Sequence, residues 1–223
     1  MDISKELELM EIEEERIFLE EALKKLIKEI GPIPIANKRI MPYGWRKAAK
    51  GRTVWRIIEE IISQNLEKKG QEMGFKKVIA SESEVSCYDF KFLLNNSKTS
   101  YVNIKSSVLN GKINKDDISK AIQLKVFFDE NPKSNLFVAT FIIDFKDDMT
   151  IDIVVCVVFP IFWIPDIYVN PSNNGNLQSA NCKFIDKATK RTKKEFYSEF
   201  INAIEIAREK RNKKKKEGEW WKQ

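Results

Sequence analysis

The sequence predicts an α/β fold in which a central mixed β-sheet is flanked by helices, with helical additions at both ends of the chain. Two observations indicate this fold class. Apolar residues recur at helical spacing near both termini and in two segments between them. Three short segments and two long ones have the β-branched and aromatic content of strands. The length of 223 residues is typical of one domain.

The composition restricts the chemistry that the chain can perform. It contains no histidine, which excludes nucleophiles activated by an imidazole and zinc sites that use histidine. It also lacks GxxxxGK[ST] and GxGxxG, so enzymes of nucleoside triphosphates and dinucleotides are disfavoured. The net charge of +6 favours polyanionic partners. Catalysis would therefore depend on carboxylates and lysine.

Three features concern the compartment. The acidic residues after Met1 lack the basic start and apolar run of an export signal, so we expect a cytoplasmic protein. The longest apolar run, at 153–164, is too short to cross a membrane as a helix and predicts a buried strand. The cysteines Cys87, Cys156 and Cys182 have no CxxC spacing, which predicts free, buried thiols.

The N-terminal segment 3–30 predicts one amphipathic helix or two, ending at Gly31-Pro32. Its acidic content indicates a solvated face, and we expect it to serve packing or dimerisation rather than chemistry. The apolar positions that define its spacing are Ile3, Leu7, Met10, Ile17, Leu23, Leu26, Ile27 and Ile30.

The segment 32–58 contains no acidic residue, and its basic residues alternate with Tyr43, Trp45 and Trp55. Such a segment predicts a surface that contacts phosphates, although a solvated linker would have the same composition. The basic residues are Lys38, Arg39, Arg46, Lys47, Lys50, Arg52 and Arg56.

A helix is predicted over 53–69, with Gly70 as its stop. At 100° per residue, Glu59 lies at the border of the apolar face and Glu60 lies further away. Glu59 could therefore lean into a site on the adjoining sheet, or it could be an ordinary surface glutamate. The predicted buried face consists of Val54, Ile57, Ile58, Ile61, Ile62 and Leu66.

Three strands are predicted at 74–80, 85–94 and 100–108, and their short connections favour an antiparallel meander. Alternation places Val85, Cys87 and Asp89 on one face of the second strand. It places Tyr101, Asn103 and Lys105 on one face of the third. Because burying a charge is unfavourable unless it is paired or binds a metal, Asp89 and Lys105 are candidates for a functional site or for a structural ion pair.

The downstream segments complete the predicted α/β core. A helix is expected at about 116–130, followed by two long buried strands, NLFVATFIIDF and MTIDIVVCVVF, joined at 146–148. Residues 170–182 predict a polar loop that reads bases or is simply mobile. The last helix, at about 190–212, leads into a basic cluster that contacts phosphate or forms a disordered tail.

The predicted elements are, in order, a helix with Glu59, a strand, a strand with Asp89, a strand with VNIKSS, a helix and a strand. This order resembles that of the PD-(D/E)XK nuclease core. The resemblance covers about residues 52–158, and the chain is similar in size to type II restriction endonucleases. Asp89 stands at the position of the first metal-binding aspartate, preceded by Tyr88 in place of proline. Lys105 matches the motif lysine, and Asn103 occupies the position of the second acidic residue.

The resemblance implies a catalytic set of Asp89, Lys105, Glu59 and Asn103. Because an amide oxygen binds Mg²⁺ more weakly than a carboxylate does, we expect another carboxylate to join Asp89 as metal ligand. Glu59 fits that role best, followed by Glu60 and Glu84.

The same resemblance implies a sequence-specific, Mg²⁺-dependent endonuclease that hydrolyses double-stranded DNA. It further implies a homodimer on a palindromic site and a cognate DNA methyltransferase in the same restriction-modification system. The single nuclease domain would span 1–223, with a helical element at 1–30, the catalytic core at about 52–158 and a C-terminal loop and basic helix at 159–223. The residues expected to contact DNA are Lys38, Arg39, Arg46, Lys47, Lys50, Arg52, Ser106 and Ser107.

Two other functions fit the same residues. A repair or junction-resolving nuclease on this core would select DNA structure rather than sequence. A non-catalytic DNA-binding or partner-binding protein would use Asp89 and Lys105 only as a buried ion pair.

Overall fold

The structure is a computed structural model. It describes residues 3–45, 50–83, 86–95, 98–111, 115–172 and 175–219, with the backbone alone for 50–53 and 214–219. The helices and strands of this part of the chain, in order, are α1 (Ile3–Ile30), β1 (Ile33–Pro34), α2 (Lys50–Lys69), β2 (Lys77–Ala80), β3 (Phe90–Leu93), β4 (Thr99–Val108), β5 (Asp116–Lys120), α3 (Ala121–Glu130), β6 (Asn135–Phe145), β7 (Thr150–Pro160), β8 (Tyr168–Val169), β9 (Asn176–Ser179) and α4 (Lys193–Glu219).

Six strands form the central sheet in the order β1-β7-β6-β4-β3-β2. Strands β4 and β6 are parallel because the chain crosses over between them through β5 and α3, whereas the other pairs are antiparallel. The predicted mixed sheet flanked by helices is confirmed, and so are the meander β2-β3-β4 and the two long strands β6 and β7. A second sheet has the order β5-β9-β8.

The two faces of β4 pack against different helices. Ser100 faces α1, since its hydroxyl donates a hydrogen bond to Glu15 Oε1 at 2.7 Å. Tyr101 faces α3, where its ring lies 4.8 Å from that of Phe127. Because side chains alternate along a strand, Asn103 and Lys105 lie on the same face as Tyr101, as the sequence predicts.

Helix α1 is continuous, which decides between the one or two helices that the sequence allows. Its buried face contains Ile12, Leu19, Leu23 and Leu26. Of the apolar positions that define its helical spacing, Leu23 and Leu26 are buried, whereas Ile3, Leu7, Met10 and Ile17 are exposed. The face that packs on the sheet is instead displaced around the helix and includes a glutamate.

The buried glutamate of α1 is Glu15, which is 6% exposed. It accepts hydrogen bonds from Ser100 of β4 and from the amide of Asn135 at the start of β6. A buried carboxylate needs such donors, because desolvation without them costs several kcal/mol. Glu15 therefore joins α1 to the two parallel strands at the centre of the sheet.

A second glutamate of α1 lies beside the outer edge of β7. Strand β1 pairs only with Thr150 and Ile151. Further along β7, Glu20 Oε2 accepts a hydrogen bond from the backbone N–H of Val158 at 3.0 Å. The same oxygen forms an ion pair with Arg16 Nη1 at 3.0 Å. The Glu20 side chain thus accepts a hydrogen bond from an N–H group at the edge of β7, which pairs with no strand in the described part of the chain.

Helix α2 begins three residues before the predicted start and ends before Gly70 as expected. Val54, Ile58, Ile62 and Leu66 are fully buried, whereas Ile57 is 41% exposed. Most of the predicted buried face is therefore confirmed, with Ile57 as the exception.

Two predictions downstream of β4 are wrong. Residues 116–120 form a strand rather than the start of a helix, and residues 176–179 of the predicted loop form its partner. The helix α3 begins only at Ala121. Ile122 and Val126, which were expected on its packed face, are 62% and 48% exposed. The pairing of β5 with β9 joins segments about 60 residues apart, which local patterns do not reveal.

The remaining bulk predictions concern the cysteines, the long apolar run and the last helix. All three cysteines are free and buried, as predicted. The run 153–164 continues β7 and then forms a short 3₁₀ turn, so the buried strand is confirmed up to Pro160. The last helix, α4, begins three residues later than predicted and continues to Glu219. Among the described residues, no helix is long and apolar enough to cross a membrane.

Candidate active site

Asp89 lies immediately before β3, which begins at Phe90 rather than at the predicted residue 85. Two hydrogen bonds tie Asp89 to β4. Its backbone N–H donates to Val102 O at 2.8 Å, and its Oδ2 accepts the N–H of Ile104 at 2.5 Å. The position of the carboxylate is therefore set by the backbone of the strand that carries Lys105.

The environment of Asp89 disfavours its charge. Burial raises the pKa of the Asp89 carboxyl, while the hydrogen bond from Ile104 and the positive charges of Lys105 and Arg56 act in the opposite direction. The burial effect is the largest, so the pKa of Asp89 stays above its ordinary value. Such a carboxylate binds a proton or a cation more readily than a solvated one does.

Glu59 stands on α2 with 12% of its side chain exposed. Burial and, to a smaller extent, the charge of Asp89 raise the pKa of Glu59 from 4.5 to about 7, against the opposing effects of Lys105 and Arg56. Arg56 Nη1 lies 3.6 Å from Glu59 Oε2, one helical turn away. The structure thus brings Glu59, Asp89 and Lys105 close enough for their charges to interact.

Both carboxylates line one cleft of about 720 Å³, between α2 and the connection that follows β2. Glu60 also lines this cleft but is exposed, and it accepts a hydrogen bond from Gln64 Nε2 at 2.7 Å. The described residues around the cleft are Arg56, Ile57, Glu59, Glu60, Ile61, Ser63, Gln64, Asn65, Ala80, Ser81, Glu82, Ser83 and Asp89. Ten of these thirteen residues have polar or charged side chains, and the cleft is open to a large ligand.

Lys105 is half-buried on β4 and is followed by Ser106 and Ser107, which were predicted to contact DNA. Ser107 Oγ accepts a hydrogen bond from Lys183 Nζ at 3.1 Å. Lys183 also pairs with Asp116 Oδ2 at 3.0 Å. The end of β4 is therefore joined to β5 and to the segment that follows β9.

Asn103, at the position of the second motif acid, is 6% exposed. Its Nδ2 donates to Cys87 O at 3.0 Å and to Ile118 O at 3.4 Å, and its Oδ1 has no hydrogen-bond partner in the described part of the chain. A carboxylate could not donate these bonds. The amide thus connects β4 to the residues just before Asp89 and to β5.

Replacing Asn103 with aspartate is expected to lower the free energy of unfolding by about 1–3 kcal/mol without raising any nuclease activity. The new carboxylate would face the carbonyl oxygens of Cys87 and Ile118, so two hydrogen bonds would become repulsive contacts. Urea denaturation followed by circular dichroism measures this change. Unchanged stability together with faster DNA cleavage would instead indicate that residue 103 acts as a metal ligand.

The basic residues predicted to contact DNA are only partly described. Lys38 and Arg39 are exposed, in a turn where Asn37 Oδ1 accepts the N–H groups of residues 39 and 40. Arg46, Lys47 and the alternative ligand Glu84 lie outside the described residues, and Lys50 and Arg52 belong to the first turn of α2, where only the backbone is described.

Sequence reasoning placed Arg56 only within the basic segment and missed it as a residue of the site. Its guanidinium lies 4.1 Å above the ring of Trp55, beside Glu59 and at the cleft. The signal available in the sequence was that Arg56 precedes Glu59 by three residues on the same predicted helix, which makes the two side chains neighbours.

Comparison with known proteins finds a partial structural likeness. The chain is similar to the NlaIV restriction endonuclease, with 18% identity and a TM-score of 0.38 over 51% of this chain and 44% of that chain. The alignment thus spans less than half the length of that enzyme. No family model matches the sequence, and no curated protein matches it.

Proposed function

We propose that the chain is a Mg²⁺-dependent endodeoxyribonuclease of the type II restriction kind, with its reaction centre at Glu59, Asp89 and Lys105. The observation that carries the proposal is the cleft in which two desolvated carboxylates repel each other beside a lysine and an arginine. Perturbed titratable groups that gather in a polar cleft are typical of catalytic sites. The helix with Glu59, the strand that follows Asp89 and the strand with Lys105 occur in the order of the PD-(D/E)XK pattern seen in the sequence.

The residues of the cleft fit a magnesium ion. Mg²⁺ prefers oxygen ligands and is usually held by one or two carboxylates, with water and substrate phosphate completing its coordination. Asp89 and Glu59 supply two carboxylates whose charges are otherwise poorly compensated. Over the described ranges no group of three or more acidic or cysteine residues could hold a metal, so the site offers two protein ligands rather than a closed cage.

The side chains have separate roles in the proposed hydrolysis. Bound Mg²⁺ supplies Lewis acidity, which lowers the pKa of a coordinated water and polarises the phosphodiester. Asp89 and Glu59 would hold the ion through their carboxylate oxygens. Lys105 orients the attacking water and offsets the negative charge that develops on the phosphate. The oxygen of the water bonds to phosphorus as the bond to the 3′ oxygen breaks. The attacking water loses a proton to solvent and the departing 3′ oxygen takes one up from solvent, which leaves a 3′-hydroxyl and a 5′-phosphate end.

The DNA would lie across the cleft. Arg56 is an exposed cation at the cleft, and Lys38 and Arg39 are exposed cations in the turn after β1; all three can neutralise backbone phosphates. Cutting both strands at a palindromic sequence would require two such sites, so we propose a homodimer that acts beside a methyltransferase of the same specificity.

The test is incubation of the purified chain with long plasmid or phage DNA in Mg²⁺ or in EDTA. We expect discrete fragments in Mg²⁺ alone and a loss of rate of about 10²- to 10³-fold in Lys105→Ala, because a positioned charge at the reacting phosphate is removed. Lys77→Ala, which removes an exposed lysine from β2, is the matched control and should cut at the wild-type rate.

Other outcomes would identify the competing functions. Preferential cutting of branched over linear duplexes would indicate a junction or repair nuclease. Intact DNA in Mg²⁺, with binding detected by gel shift, would refute the proposed catalysis and leave Asp89 and Lys105 with a structural role.

A further inference from the structure

We propose that Gln178, held in orientation by Asp117, reads an adenine base through the major groove of bound DNA. This inference rests on the proposed function, because it requires a DNA duplex at the candidate active site. It concerns the small sheet β5-β9-β8, in which both residues lie on neighbouring strands. Neither residue has a role in the hydrolysis described above.

The small sheet is attached to β4 on both sides of Lys105. On one side, Ile118 O of β5 accepts Asn103 Nδ2 at 3.4 Å. On the other, Lys183 links Ser107 of β4 to Asp116 of β5. Asn103 and Ser107 are four residues apart, about 13 Å along a strand, which corresponds to roughly four base-pair steps. DNA at Lys105 would therefore have this sheet within a few base pairs.

One face of the small sheet packs inward and the other carries a row of polar side chains. Leu177 and Ser179 of β9 are fully buried. Gln178, between them, must face the opposite way. It pairs directly with Asp117 of β5 and with Tyr168 of β8, so the three side chains form one row across the sheet. Gln178 and Asp117 lie on two neighbouring strands, and a two-stranded β-ribbon can enter the major groove, which is about 12 Å wide.

The contact between Gln178 and Asp117 determines what the glutamine can bind. Gln178 Nε2 donates to Asp117 Oδ1 at 2.5 Å. Because a carboxylate only accepts hydrogen bonds, the NH₂ group of the amide must face Asp117 and Oε1 must face away. Among the described residues, the other N–H and the Oε1 acceptor make no further hydrogen bond, so they can bind a ligand in a fixed arrangement. Asp117 is thus a positioning residue.

The remaining donor and acceptor of Gln178 match one base edge. Adenine presents N7 as acceptor and the N6 amino group as donor, which a glutamine amide can bind in a bidentate manner. Guanine presents two acceptors, N7 and O6, so Oε1 would face another oxygen. The row therefore favours an A·T pair over a G·C pair at one position of the recognised sequence.

The experiment is selection of bound sequences from a pool of randomised DNA duplexes in EDTA, with the full-length chain. We expect the wild type to require an A·T pair at one position. In Gln178→Ala the preference at that pair should fall by about ten- to a hundredfold, while the preference at other positions stays. Gln71→Ala, the same substitution at an exposed residue after α2, is the matched control.

Two further measurements separate base reading from a general loss of structure. 7-Deazaadenine, which lacks the N7 acceptor, should weaken binding to the wild type but not to Gln178→Ala. Asp117→Ala should lower the discrimination between A·T and G·C without lowering the affinity for non-specific DNA, because it frees the amide and removes a negative charge.

The outcomes distinguish this inference from the proposed function. An unchanged preference in Gln178→Ala, or a wild type that selects no sequence, would overturn the inference even if Mg²⁺-dependent cleavage is observed. A wild type that selects an A·T pair through Gln178 but cuts no DNA would support base reading and refute the nuclease.

Discussion

Asp89→Asn is expected to reduce DNA cleavage by about 10³-fold or more while leaving the protein folded and at least as stable as the wild type. The substitution removes a negative charge that is desolvated and lies near Glu59. It keeps an oxygen that can accept the N–H of Ile104, so the connection to β4 survives. Single-turnover cleavage in saturating Mg²⁺ and thermal denaturation in EDTA measure the two effects.

The combination of lost activity and retained stability is the informative result. A structural ion pair with Lys105 would behave differently, because removing one partner leaves a buried charge and destabilises the fold by several kcal/mol. Asp147→Asn is the matched control, since it makes the same change at an exposed aspartate in the connection between β6 and β7. Cleavage at the wild-type rate in Asp89→Asn would remove Asp89 from the reaction.

Glu59→Gln is expected to stabilise the metal-free protein above neutral pH and to abolish its stabilisation by Mg²⁺. The pKa of Glu59 is about 7 in the folded protein, against 4.5 in a solvated chain, so the folded state keeps this proton when the unfolded state has lost it. The free energy of unfolding of the wild type should therefore fall as the pH rises from about 4.5 to about 7.

The size of this effect follows from the shift in pKa. A difference of roughly two pKa units or more between the folded and unfolded states lowers the free energy of unfolding by about 3 kcal/mol at pH 8. Glutamine carries no charge, so the variant would not lose this part of its stability. Burial also raises the pKa of Asp89, so part of the pH dependence should persist in the variant. At pH 4 the wild type and Glu59→Gln should be equally stable.

We expect bound Mg²⁺ to oppose this pH dependence. The ion competes with the proton for Glu59, so its stabilisation of the wild type should grow between pH 6 and pH 8. Thermal denaturation in EDTA and in Mg²⁺ across this range measures it. Glu60→Gln, a change of the adjacent exposed glutamate in the same cleft, is the control. If Glu60→Gln loses the stabilisation by Mg²⁺ and Glu59→Gln keeps it, Glu60 rather than Glu59 is the second metal ligand.

The sequence was informative about the site wherever a local period determines which way a side chain points. Alternation along the third predicted strand placed Lys105 beside Asn103, and the helical period placed Glu59 at the border of its apolar face. The structure brings Glu59, Asp89 and Lys105 within range of one another's charge, although Asp89 precedes β3 instead of lying within the strand predicted at 85–94. Their catalytic roles and the binding of Mg²⁺ stay predictions.

Other features depend on contacts between segments that are far apart in the chain. The pairing of Asp117 with Gln178 joins two segments that looked like a helix start and a polar loop. Aspartates at 116 and 117 are typical of a helix N terminus, and cross-strand pairing overrode that local preference. The two carbonyl oxygens that Asn103 binds come from Cys87 and Ile118, which no spacing rule connects.

The hydrogen bond from Val158 to Glu20 has a consequence for the behaviour of the protein at high concentration. An unpaired strand edge recruits other chains, which leads to aggregation. Since Glu20 occupies one of the outward N–H groups of β7, a strand from another molecule that approaches there meets a carboxylate already bonded to that group. Helix α1 therefore protects the sheet against intermolecular strand addition, and molecules in which α1 has not yet docked during refolding are the ones expected to aggregate.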